Sequence, residues 1–185
     1  MQFIPPVRAD LKFAVKHLSH RLASPTREDL RDVKRVMRYL AGTKDFFLHL
    51  TLPDLPTDEL ERDFRLIEGF SDADWAGDPQ SRKSTSALCV FVDRFLLACE
   101  SKNQASVALS VGEAEFYALG SLTAELLFVQ AVLKEIGLDF PIKARSDSST
   151  ARAVATKAGA SKKMKHIEAR HFFIQDVVFR KKMQL

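Results

Sequence analysis

Three carboxylates stand where a chain could turn from scaffold to chemistry. Asp72 follows an apolar alternating stretch, Glu115 lies in the first turn of a long Ala-, Leu- and Glu-rich run, and Asp147 ends a short strand-like stretch before a helix. Carboxylates at the C-terminal ends of strands, beside helix N-termini, sit at the edge of an open α/β sheet where ligands bind. Three that converged would repel one another. A hard divalent cation relieves that repulsion, and Mg²⁺ or Mn²⁺ accepts carboxylate and phosphate oxygens. Two such ions, roughly 3.5–4 Å apart, form a phosphodiester-cleaving arrangement in which one activates water and the other steadies the leaving oxygen. Each acid also has a plainer reading. Glu115 would complement a helix dipole, Asp147 would cap a helix, and Asp72, with Asp74 and Asp78, would be a turn residue. Taken singly, each acid favours the plainer reading, and spacing alone leaves the choice open.

The elements that must position these acids follow from periodicity. RLIEGFSDADW alternates and then reaches polar residues, which predicts a strand ending at the acidic cluster. SALCVFV predicts a second strand, Asp93-Arg94 a tight turn, and FLLACE a third strand. From Glu113 to Ile136 the period becomes helical, with Gly112 at the start and Gly137 at the end. Ile142 to Ser146 reads as a short strand, followed by helices over about Ser149–Lys157 and Glu168–Lys181. Phe172, Phe173 and Val177 are expected in the core. This order gives an α/β sandwich opening with an antiparallel meander. Upstream, Leu11, Phe13, Ala14 and Leu18 predict one short helix. Leu30, Val33, Met37 and Leu40 give the apolar face of a second, with a Thr26/Asp29 capping pair at its start and Gly42 as a left-handed stop. Residues 51–64 hold two prolines and much negative charge, and read as a linker. The expected organisation is a helical segment at 1–50, the linker at 51–64, and an α/β domain at 65–185.

Composition narrows the function classes. The chain has 185 residues, 46% hydrophobic and 28% charged, which excludes a disordered tail. Its longest unbroken apolar run, Ala87 to Val92, is too short for a bilayer. Met1 to Pro6 lacks a basic region followed by an apolar stretch, so no secretory signal and no membrane partner are expected. Cys89 and Cys99 fit neither a disulfide framework nor a zinc pattern, which suits a reduced intracellular compartment. They would approach each other on neighbouring strands, but core filling is the expected role. The net charge of +4 hides segregation: +5 over residues 1–50, −4 over 51–68, −2 over 69–160 and +5 over 161–185. Basic ends suit a polyanion such as nucleic acid, or are solvated helix faces.

Longer motifs carry more. FSDADWAGDPQSRKSTSA, SKNQASVALSVGEAEFYAL, SDSSTARAVA and KKMKHIEARHFFIQD occur in that order. They closely resemble successive motifs of the RNase H domain in copia-type LTR retrotransposon Pol polyproteins: SDADWAGD with RKSTSG, SKKQ-x-x-VALS-x-x-EAEY, DNQSA, and TKHID-x-RYHFIRD. Upstream, RADLKFAVKHLSHRLASPTREDLRDVKRVMRYLAGTKD resembles the stretch between polymerase and RNase H in the same family. The resemblance covers nearly the whole chain. It implies an RNase H-like mixed sheet and two-metal hydrolysis of the RNA strand of an RNA–DNA hybrid, leaving 3′-hydroxyl and 5′-phosphate ends. It implies Asp72 bridging two Mg²⁺ ions, with Glu115 and Asp147 each supporting one. The implied partners are the hybrid and the polymerase portion of the parent polyprotein.

Given that resemblance, Arg82, Lys83, Ser84 and Thr85 are expected to contact hybrid phosphates, with a polar turn as the alternative. Ser101, Lys102, Asn103 and Gln104 could reach 2′-hydroxyls across the minor groove. Lys165 and His166, beside Lys162 and Lys163, form a basic loop that could grip a strand. The sequence also departs from the family pattern. The family's fourth carboxylate follows a fifth strand, and Lys-Met-Gln-Leu stands where that strand would begin, so a truncated copy is expected. Glu168 replaces the aspartate of the KHID motif, Ala87 replaces the glycine of STSG, and Glu100-Ser101-Lys102 replaces Trp-Ser-Lys. The alternative function is a truncated relic that holds hybrid or metal without chemistry.

Overall fold

The β-formers after residue 65 make a four-stranded mixed sheet in this computed structural model, which describes residues 8–48, 65–157 and 173–185. The strands are β1 (Ile67–Asp74), β2 (Thr85–Val92), β3 (Phe95–Asn103) and β4 (Ile142–Ser146), in the order β3-β2-β1-β4. The first three form the antiparallel meander, and β4 returns parallel to β1. Gln184 makes a single parallel bridge to Lys143, on the open side of β4. Asp93 and Arg94 both take positive φ, 48° and 69°, which gives the two-residue turn between β2 and β3 its tight reversal. The β2–β3 register shifts after Val90, so Leu97 is the extra residue of a bulge.

One face of this sheet is covered by helix α3 (Val111–Glu135). In β1 the buried residues Ile67, Gly69, Ser71 and Ala73 alternate with the more exposed Glu68, Phe70, Asp72 and Asp74. Phe116, Leu119, Leu122 and Leu126 of α3 are fully buried on that inner face. Each contributes roughly 1.5–3 kcal/mol by leaving water. Gly69 makes the contact close: a methyl there would stand 2.6 Å from Leu122 Cδ1. Helices α4 (Ser149–Ala155) and α5 (Phe173–Phe179) complete the layer, with Ala151, Ala155, Ile174 and Val177 joining the same core. Helix α3 is long and apolar enough to cross a membrane by length and composition, and half of its most apolar stretch is buried inside the fold. Glutamates and small polar residues interrupt it, so it contains no long unbroken apolar run.

The chain divides into two units, Met1–Thr51 and Leu52–Leu185. In the first, a 3₁₀ turn (Ala9–Leu11) leads into α1 (Lys12–Ser19) and then α2 (Arg27–Gly42). The Thr26/Asp29 capping box is formed in both directions. The apolar face follows the expected one only in part: Leu40 packs on the small core, but two of its expected companions do not. Leu30 and Met37 are exposed, and the seam runs through Val36, packed with Leu11 and Val15. Gly42 is not a left-handed stop. It has no positive φ, and the helix ends at Thr43, whose hydroxyl donates to Tyr39 O (2.7 Å). Arg8 then donates to both Thr43 O and Thr43 Oγ1 and forms a forked pair with Asp10. That pairing holds the Asp10 carboxyl at about 2, below its ordinary value. The expected linker 51–64 lies outside the described residues, as do residues 168–172 of the last expected helix.

Candidate active site

Strand register brings two of the three acids together. Ser71 of β1 pairs with Ser146 of β4, so Asp72 and Asp147 follow at the C-terminal ends of adjacent parallel strands. The third comes from above them. Helix α3 is capped by Ser110, whose Oγ accepts from Glu113 N (3.2 Å). Glu113 is itself pinned, accepting from Leu109 N through Oε2 and from Tyr117 OH through Oε1. This fixes the first turn and aims Glu115 at the strand ends. Glu115 Oε1 accepts from Ala73 N (3.2 Å), a β1 amide beyond the last residue of β4. Ligand oxygens of Asp72, Glu115 and Asp147 all lie within 4.8 Å of one another.

Packing around the acids is tight. A methyl on Gly112 would stand 2.7 Å from Thr150 Cγ2, so the starts of α3 and α4 approach as closely as glycine permits. Trp75 Nε1 donates to Ala108 O (3.0 Å), and Gln104 Nε2 donates to Ser86 Oγ and Ala114 O, tying the loop ends to α3.

The electrostatics follow from burial. Glu115 is 5% exposed, while Asp72 and Asp147 are open to solvent. Burial pushes the Glu115 carboxyl up to about 7, against the Ala73 hydrogen bond, and the Asp72 and Asp147 charges add to the rise. Glu115 Oε2 is buried with no hydrogen-bond partner. An orphaned carboxylate oxygen facing two further carboxylates fits a hard divalent cation, which would satisfy the oxygen and offset the repulsion. The three side chains could hold Mg²⁺ or Mn²⁺.

The expected substrate contacts separate. Paired residues in neighbouring strands point to the same face, so Asp72, Ala87 and Ser101 form one row across the outer face. The Ser101 hydroxyl is buried there without a partner. Thr85 is on the same face, largely buried, with its hydroxyl on Asn103 Oδ1. Ser84 is not on a contact surface: it is fully buried, and its hydroxyl accepts from Ala76 N inside the turn. Gln104 is also interior. Lys102 belongs to the opposite face, level with Ser86, and pairs with Glu100 (2.7 Å). Arg82 is exposed in a left-handed turn, and Lys83 beside it is half-buried. Lys165, His166 and Glu168 lie outside the described residues. Asp176 pairs with Arg180 and is not among the gathered acids. Glu113, which the sequence marks only as the start of a helix, braces the first turn, and Ser110 three residues before it is the capping signal.

A meander, a parallel fourth strand, a long helix across them and three acids at the strand ends define an RNase H-like α/β fold. No family model matches the chain. It is 31% identical over 180 residues, 96% of its length, to the retrovirus-related Pol polyprotein from transposon RE2 of Arabidopsis thaliana. It is 30% identical over 172 residues, 92% of its length, to the retrovirus-related Pol polyprotein from transposon TNT 1-94 of Nicotiana tabacum. It is 35% identical over 129 residues to the secreted RxLR effector protein 161 of Plasmopara viticola, covering 70% of this chain and 84% of that protein. Over nearly its whole length the chain matches one segment of retrovirus-related Pol polyproteins of copia-type transposons. It spans 12% of the length of each of these two polyproteins.

Proposed function

We propose that the α/β unit is a ribonuclease H that hydrolyses the RNA strand of an RNA–DNA hybrid. The observation that carries this reading is the convergence of Asp72, Glu115 and Asp147 around the orphaned Glu115 Oε2. Asp72 and Asp147 offer exposed oxygens, while Glu115 is held in place through Oε1 and offers Oε2. Divalent ions bound by this set would supply Lewis acidity and counter-charge for phosphodiester hydrolysis. Ser101 lies on the outer face, two strands from Asp72 and roughly 9.5 Å away by strand spacing. A strand crossing that face would run over this row, and the Ser101 hydroxyl, buried as it stands, would have to turn outward to touch it. Helices α1 and α2 would be the segment joining this domain to the polymerase portion of a parent polyprotein.

A second reading has its own support. Among the described residues three carboxylates gather and Asp176 is engaged elsewhere, which favours a protein that holds metal and hybrid without turnover. One assay separates the two. With labelled hybrid and Mg²⁺ or Mn²⁺, the nuclease reading expects RNA-strand cleavage that EDTA and Asp72→Asn both abolish. Hybrid binding without cleavage by folded protein overturns it in favour of the second.

A further inference from the structure

Cys89 of β2 stands directly opposite Cys99 of β3, with the two Sγ atoms 2.8 Å apart. The pair is half-exposed and not joined in a disulfide. It lies on the outer face, in the row that begins with Phe70, next to the row of Asp72, Ala87 and Ser101. Core filling, the role expected from sequence, does not account for two half-exposed thiols in contact.

The ladder settles how the two residues are set. Gln104 N donates to Ser84 O (2.8 Å), which makes Ser84 and Gln104 a hydrogen-bonded pair. Hydrogen-bonded and non-hydrogen-bonded pairs alternate along an antiparallel ladder. The register is unbroken from Thr85 to Val90, so Cys89 and Cys99, five pairs along, are a non-hydrogen-bonded pair. Such residues have Cα atoms about 4.5 Å apart and side chains at their closest, inside the range that a disulfide spans.

We propose that Cys89 and Cys99 are a cross-strand dithiol that reacts with small-molecule disulfides of the glutathione class and closes to an intramolecular disulfide. One cysteine thiolate attacks a sulfur of glutathione disulfide. That S–S bond breaks, a mixed disulfide forms, and one glutathione leaves as its thiolate. The second cysteine thiolate then attacks the protein sulfur of the mixed disulfide and expels the other glutathione. Two electrons and, in sum, two protons pass from the cysteines to two glutathione molecules. The second step needs no chain rearrangement, because the strands already hold the sulfurs in contact. The inference is independent of the nuclease reading, since neither cysteine belongs to the acidic cluster.

The test incubates the 185-residue chain in defined mixtures of reduced and oxidised glutathione, alkylates it, and measures intact mass and peptide linkage. The expected product is a monomer lighter by two hydrogens, carrying no glutathione, with Cys89 linked to Cys99. The oxidised fraction should not depend on protein concentration. Cys89→Ser and Cys99→Ser supply the single-thiol controls, of which at least one should retain bound glutathione. Glutathione persisting on the wild-type chain, a link between two chains, or unreacted thiols in excess glutathione disulfide would each overturn the proposal. The wild-type result decides the matter even if a variant fails to fold.

Discussion

Glu115 is the residue on which the site turns, because it is the buried member of an otherwise exposed set. Its proton is held more tightly folded, at about 7, than unfolded, at the ordinary 4.5. In metal-free protein this carboxyl therefore costs nothing below pH 4.5. Stability falls as pH rises from there to about 7, then levels off. Urea unfolding in chelator from pH 4 to pH 8 should show this loss in the wild type and not in Glu115→Gln. Equal slopes for both proteins would show that the carboxyl is not destabilised by burial. The acidic trio was legible in the sequence because strand ends and helix starts are readable. Its convergence was not, since nothing local pairs Ser71 with Ser146. Ser84, Gln104 and Lys102 show the complementary gap. A hydroxyl or amide that braces a turn has the same composition as one that meets a ligand, and only register says which face a strand residue takes.

At the scale of elements, the approach of α3 to α4 sets where Glu115 sits relative to Asp147. Gly112→Ala would place a methyl 2.7 Å from Thr150 Cγ2 and push the two helix starts apart. We expect metal affinity, followed by calorimetry with Mn²⁺, to fall about tenfold, or roughly 1.4 kcal/mol. Adding Thr150→Ser removes the clashing methyl and should restore most of the affinity. Failure of the double variant to recover would show that α3 is positioned by something else. Local signals announced the capping box, the Asp93-Arg94 turn and all four strands. Packing decided the rest. Leu30 and Met37 have the right spacing for a buried stripe, but Val36 faces α1 and they do not. Gly42 looks like a stop, yet Thr43 ends α2 with side-chain bonds of its own.

For the molecule as a whole, the two units have separate cores. One holds the sheet with α3, α4 and α5, and the other rests on Leu11, Val15 and Val36 with a few neighbours. A chain beginning at Arg65 is expected to unfold cooperatively at the midpoint of the corresponding transition in the full chain, and to keep its Mn²⁺ affinity. Residues 1–51 alone, with so small a core, are expected to melt without a sharp transition. Calorimetry of the two pieces checks both outcomes, and a destabilised 65–185 fragment would make the helical unit part of the fold. Helix α3 also bears on the timing of folding. It is the segment most in need of cover, and it is synthesised directly after the meander that covers it and before β4. The nascent chain can therefore shelter its most apolar segment as it emerges, against strands joined by short local connections. The same elements in an order that placed α3 first would leave that segment exposed to chaperones and to self-association until the sheet arrived.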